Sequence, residues 1–359
     1  MMLKKNSLNV FLMFATLIIN GVMAQNSYNI PLKHVAYRTT EPLSIDGKGD
    51  EVSWQKAPFT NHFIDIEGKI IPKYDTQAKM LWDETYFYIY AEMEEPHVWG
   101  TLKERDTVIF YNNDFEVFID ATGDTHNYYE LEVNALNTAW DLFLGKPYRE
   151  HSPVLDHWDI NGLKTAVHIN GTLNNSADID KGWSIEIAIP WNALEEAAGK
   201  RGVPVNDFWR VNFSRVNWDF DLDEHGRYSR KKNEEDKYLP EYNWVWSPQG
   251  VINMHEPEHW GYVYFSEETA DTPVNFEIPK DEHIKWYLYE LYRAQKKQQN
   301  KTGNGFKNTK SLIGKGKLIL GEVIKPKLEN HSLGWNLTVL SPFSGKKIII
   351  REDGKCTIQ

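Results

Sequence analysis

Residues 112–141, NNDFEVFIDATGDTHNYYELEVNALNTAWD, constrain this chain more than any other stretch. Apolar and polar residues alternate on both sides of a turn-rich loop, a period of two that predicts an antiparallel β-hairpin. Side chains along a strand change face at every step. Phe115, Val117 and Ile119 therefore share a core face with Tyr129, Leu131, Val133 and Ala135. Glu116, Phe118 and Asp120 share the other, wet face with Tyr128, Glu130, Glu132 and Asn134. If the loop closes with Asp120 opposite Tyr128, Phe118 falls opposite Glu130 and Glu116 opposite Glu132. Like charges across a ladder destabilise it unless a cation, an arginine, a shared proton or a hydroxyl-rich ligand answers them. A solvated surface is one reading of such a face. Four acids interleaved with Tyr128 and Phe118 favour a site that uses carboxylates to accept hydrogen bonds.

The surrounding chain continues the pattern. Its 14 Trp, 18 Tyr and 16 Phe recur in short alternating runs broken by Gly, Pro, Asn and Asp, a β-rich signature. Some ten short strands over residues 25–270, with no helical period between them, predict a mainly β architecture: an antiparallel β-sandwich of jelly-roll kind. Trp54 is expected as a core plug, and Met80, Trp82, Phe87, Ile89 and Ala91 as core positions of paired strands. From Asp271 the composition changes. Ile284, Leu288, Leu291 and Tyr292 repeat at helical spacing over 281–298, followed by strands over 317–324, 333–340, 347–351 and 355–358. Residues 271–359 are thus expected to form a small α+β appendage, a helix on a β-meander.

Lys4 and Lys5 precede an apolar run from Leu8 to Ile19 that ends in small residues before Gln25. The run is too short to span a membrane, so residues 1–24 read as a secretory signal peptide and the chain as exported, to the periplasm, the cell surface or the medium. Nothing further along resembles a membrane span. Cleavage takes the formal charge from −11 to −13 by removing those two lysines. An acidic chain is a poor partner for nucleic acid, whose phosphates need a basic surface. Cys356 is the single cysteine, so no intrachain disulfide is available.

Several stretches together resemble the family 9 carbohydrate-binding modules and related DOMON-like β-sandwiches of secreted bacterial proteins. They are Ser44-Ile-Asp-Gly with Glu51 and Trp54, Leu81-Trp-Asp with 86–90, Asp114-Phe-Glu-Val-Phe-Ile-Asp120, WSIEIAIPW over 183–191, and Trp246-Ser-Pro with Trp260-Gly261. They run in order over about residues 34–266. The resemblance implies a sugar-binding sandwich, often with structural calcium, that accompanies extracellular polysaccharide breakdown and the enzymes that perform it. It also places Glu116 on the family's sugar-bonding glutamate. Glu132 stands where well-studied members carry an arginine, and their two sandwiching tryptophans fall near Phe110 or Tyr111 and near Met254.

A sugar site needs a flat aromatic face for the ring and planar polar groups for the hydroxyls. Tyr111, Tyr128, Trp140, Trp158 and Trp218 are the candidate platforms. Glu116, Glu130, Glu132 and Asn134 supply the polar groups, with Arg215 or Arg210 to offset the acids. The leading expectation is an exported carbohydrate-binding protein centred on Glu116. The alternative is a glycoside hydrolase using Glu116 with Glu132 or Glu130, because retaining enzymes hold two carboxyl groups about 5 Å apart. Asp219, Asp221 and Asp223, at alternate positions in DFDLDEHG, are oxygen donors of the kind calcium takes, as are Asp120 and Asp124. HEPEH over 255–259 matches the zinc-protease string, but Pro257 breaks the helix that string requires. Met93, Met254 and the 12 histidines show no distinctive haem-ligand spacing.

Overall fold

A computed structural model of the protein describes residues 30–199 and 202–359. The segment read as a signal peptide, 1–24, lies outside the described residues.

The hairpin forms as its alternation dictates. Strands Asp114–Asp120 and Tyr128–Asn134 pair antiparallel with Glu116 opposite Glu132 and Phe118 opposite Glu130. Ala139–Leu144 extends it on one side, and the long strand Phe208–Asn217 on the other. Beyond Phe208–Asn217 lies Gly261–Phe265, then Lys33–Arg38, Thr76–Trp82, Tyr86–Glu94, Gly182–Pro190 and Lys164–Asn170. Thirteen strands among the described residues make one curled sheet folded over its own core. The expectation of a purely antiparallel sandwich is corrected at one place. Lys33–Arg38 pairs parallel both to Gly261–Phe265 and to Thr76–Trp82 and so stitches the two layers together. Its neighbours are distant in sequence, so no hairpin turn dictates their direction.

Phe115, Val117, Ile119, Tyr129, Leu131 and Val133 from one layer meet Met80, Phe87, Ile89, Ile185 and Ile187 from the other, all buried. Outside that core, Glu186 ties together two of the motifs. Its Oε2 accepts the backbone N–H groups of Asp46 and Gly47, and its Oε1 accepts Trp54 Nε1 at 2.8 Å. The tryptophan–glycine pair near the end has a packing reason too. A Cβ on Gly261 would meet the Trp246 ring at 2.5 Å, so only glycine lets that ring lie on the strand.

The C-terminal helix runs Lys280–Thr302, longer at both ends than its apolar spacing predicts, and stops at Gly303 with φ 75°. The strand expected over 317–324 is a hairpin of Lys317–Ile319 and Glu322–Ile324. Leu320 and Gly321 both take positive φ at its turn. A leucine at such a position gives no turn signal, which hid the break. Lys327–His331 is an unforeseen strand at the edge of a four-stranded sheet. The helix docks on the sandwich through Trp286 against Tyr262, and Lys285 Nζ donates to Gly123 O at 2.6 Å.

Candidate functional site

The face of the hairpin away from the core divides in two. At the Asp120 end, Trp260 packs with Phe118, Tyr128, Leu142 and Leu144, and none of these five is more than 1% exposed. At the other end Glu116, Glu130 and Glu132 line a cavity of about 270 Å³. Trp140 and Leu142 from the third strand continue its floor, and Phe110, Tyr148, Ile252 and Met254 supply its walls. Tyr148 is 44% exposed and its ring lies 3.9 Å from that of His255, so it stands as an open flat surface over the acids.

The carboxylates are deep. Glu116, Glu130 and Glu132 are 5%, 4% and 2% exposed, and Asp114, on the same face two residues before Glu116, is fully buried. One oxygen each from Asp114, Glu116 and Glu132 lie within 4.8 Å of one another. Glu132 accepts the Phe110 N–H at 2.9 Å. Both oxygens of Asp114, Oε2 of Glu116, Oε2 of Glu130 and the Trp140 Nε1 are buried without a hydrogen-bond partner. The Val216 N–H near Asp114 and the Ser214 hydroxyl near Glu116 favour the charged forms without reaching hydrogen-bond geometry. Burial pushes Glu116 up to about 7. Burial, then repulsion from neighbouring carboxylates, holds Asp114, Glu130 and Glu132 well above the usual range. His255 does not relieve them: burial lowers it to about 3, so it is neutral, and its Nε2 is 4.0 Å from Glu130.

Of the residues expected at the site, Glu116, Glu130, Glu132 and Trp140 are brought together. Tyr128 is not a platform, because it is fully buried with its hydroxyl 2.9 Å from His255 Nδ1. Asn134 is structural. Its Oδ1 accepts Leu136 and Thr138 N–H groups and its Nδ2 donates to Leu102 O, all within the loops at the strand end. Arg215 does not offset the acids: it sits opposite Phe115, on the core side, and donates to Glu95 at 2.8 Å. Arg210, opposite Asp120, serves Trp260 O and Glu258 O instead. Tyr111 lies beside Phe110 but outside the cavity, with Arg230 over its ring at 4.3 Å. Trp158 packs on Tyr129 and Phe143, and Trp218 donates to Phe110 O.

The proposed cation loops are answered locally. Asp219 pairs with Lys73, Asp221 accepts the Lys232 N–H, and Asp223 pairs with Arg227, so the three do not converge. Asp120 accepts Gly123 and Thr125 N–H groups, and Asp124 pairs with Lys355. In HEPEH the two histidines part company. His255 faces Tyr128, while Glu256 and Glu258 are clamped by Arg293 and Glu258 also by Arg149. Sequence reasoning missed Asp114 and Tyr148. Parity with Glu116 marked the first, and an exposed aromatic just after the strand carrying Trp140 marked the second.

A larger groove of about 540 Å³ runs along the other layer past Tyr90, Glu92 and Trp183. Trp183 is 3% exposed, the Tyr90 hydroxyl donates to Glu92, and no lining side chain there buries an unpartnered polar atom. The acid-floored cavity is the better candidate on those grounds.

Comparison with known proteins agrees with the motifs. Over 122 residues the chain is 30% identical to endo-1,4-beta-xylanase C of Paenibacillus barcinonensis, covering 33% of this chain and 10% of that enzyme. Over 198 residues it is 25% identical to endo-1,4-beta-xylanase A of Thermotoga maritima, covering 54% and 15%. The chain thus spans only a small part of the curated relatives it matches. Among solved structures, a family 9 carbohydrate binding module from Caldicellulosiruptor kristjanssonii in complex with cellotriose superposes with a TM-score of 0.42 at 14% identity, covering 68% of this chain and all of that one. The family model described as carbohydrate family 9 binding domain-like matches residues 45–206, which include the whole acidic hairpin. Residues 45–206 of this chain are therefore similar to the carbohydrate family 9 binding domain-like family.

Proposed function

We propose that the chain binds a saccharide in the acid-floored cleft and serves, as an exported protein, in polysaccharide catabolism beside degrading enzymes. The observation that carries this reading is the combination in one cavity of unpartnered carboxylate oxygens with the open Tyr148 ring. Carboxylates accept hydroxyl protons in charge-assisted bonds, and an aromatic face takes the apolar side of a sugar ring. The family match over residues 45–206 supports the same reading, as does the N-terminal sequence, whose lysines and short apolar run read as a signal peptide.

A glycan array probed with the full chain, followed by calorimetry and a product assay on each retained glycan, tests it. Retention without release of new reducing ends is the expected result. No retained glycan would sink the proposal.

A second reading, retaining glycoside hydrolysis, has one observation in its favour. Oxygens of Glu116 and Glu132 lie within 4.8 Å, near the ~5 Å spacing of such pairs, and Glu116 sits at about 7, suited to an acid. That chemistry also needs an ionised nucleophile, whereas burial and then repulsion from Asp114 raise Glu132 as well. Binding is the better account, and the product assay separates the two.

A further inference from the structure

We propose that Asp114, Glu116 and Glu132 hold a divalent cation of the calcium class at the floor of the cleft, and that the cation's open positions take saccharide hydroxyls. The second half rests on the saccharide reading above; the first does not.

The hairpin register builds the ligand set. Asp114 and Glu116 are two steps apart on one strand and share a face, and Glu132 stands directly opposite Glu116. Their converging oxygens all lie within 4.8 Å of one another, and calcium–oxygen distances of about 2.3–2.6 Å put ligands on opposite sides of one ion about 5 Å apart, so one ion can reach all three. Asp114 points to a ligand independently of the cluster, because it is fully buried and both its oxygens lack a hydrogen-bond donor. Glu116 Oε2 is in the same state. A buried carboxylate without a partner is costly, and setting Asp114 beside two further carboxylates adds repulsion that is weakly screened away from water.

Among the described residues no lysine, arginine or histidine forms an ion pair with Asp114, Glu116 or Glu132. Arg215, whose neighbour Ser214 faces Glu116, is turned to Glu95 on the far side of the sheet. The donors are oxygen only, which selects a hard cation over metals that prefer nitrogen or sulfur. Calcium takes six to eight oxygens. The trio leaves positions open toward the cavity, where Glu130 Oε2 is also unpartnered. Two adjacent hydroxyls of a sugar ring supply ligands of the right kind, with Tyr148 placed to cover the ring.

The experiment titrates calcium chloride alone into chelator-stripped full chain and into Asp114→Asn/Glu132→Gln, with Glu132→Gln as a second variant and thermal melts to confirm folding. The native chain should take up one equivalent more than the double variant, and Glu132→Gln should weaken that equivalent at least tenfold. Equal uptake by the native chain and the folded double variant overturns the site. A glycan retained by the native chain is then titrated with and without EDTA. A tenfold or greater loss in EDTA supports coordination of the sugar, and unchanged affinity overturns it. Calcium uptake with no glycan retained supports the cation site and removes the saccharide reading. Glycan binding with no differential calcium uptake does the reverse.

Discussion

Glu116 and Glu132 face each other directly across the central hairpin, each at most 5% exposed, with Asp114 beside them. An arrangement that costs stability in the free protein is a mark of a site whose energy is recovered on binding. Glu132→Gln should therefore raise the melting temperature of the chelator-treated chain, by the equivalent of about 1 kcal/mol, while weakening glycan binding. Parallel thermal melts and calorimetry check it. A destabilised variant with unchanged glycan affinity would show that the pair is only structural.

Tyr148 contributes a ring that is 44% exposed and rests on His255. Tyr148→Ala removes a ring that is only partly buried, so the melting temperature should fall by no more than a few degrees. Glycan affinity should fall about tenfold, close to 1.4 kcal/mol. Tyr148→Phe should keep most of the affinity, because the platform is the ring face and not the hydroxyl.

Glu258 provides the pH dependence. Burial opposes its ionisation, but attraction to Arg149 and Arg293 outweighs that and brings the carboxyl down to about 2. A carboxyl depressed on folding stabilises the native state above its unfolded value near 4.5, and that contribution is lost as pH falls from there through about 2. Acid unfolding monitored by tryptophan fluorescence should fall in that window. Glu258→Gln should cost about 3 kcal/mol at pH 7, as expected when one partner of a buried ion pair is removed, and the difference should close toward pH 2.

Glu186 accepts three donors: the Asp46 and Gly47 N–H groups and Trp54 Nε1. Glu186→Ala leaves them inside without acceptors and should destabilise the chain by about 3 kcal/mol or more. Trp54→Phe, which removes one donor and part of the plug, should cost less. Urea unfolding of both variants orders them.

The hairpin was legible because alternation fixes the face of each side chain and one turn fixes the register; Glu116 opposite Glu132 followed from the letters alone. The motif residues Trp54, Glu186 and Gly261 were also readable as a set, though not as the contacts they make. Arg215 shows where such reading stops. It lies on the strand next to the acids, but the register puts it opposite Phe115 and not Glu116, and a one-residue change of parity sends a guanidinium through the sheet. Tyr128 and Phe118 share the parity of the acids, yet Trp260, 132 positions beyond Tyr128, covers them. Long-range cover of that kind leaves no trace in a local pattern. The double parallel pairing of Lys33–Arg38 was hidden for the same reason.

The strand Phe208–Asn217 begins two residues after the family match ends, yet it is the partner of Asp114–Asp120 along the whole length of the acidic hairpin. A fragment trimmed to 45–206 would leave the backbone of Asp114–Asp120 as a raw edge, open to pairing with a second molecule. It would also lack the Ile252–His255 wall of the cleft. The family match is therefore shorter than the part of the chain that builds the cleft and its supporting sheet, which extends to the closing strand at Phe265.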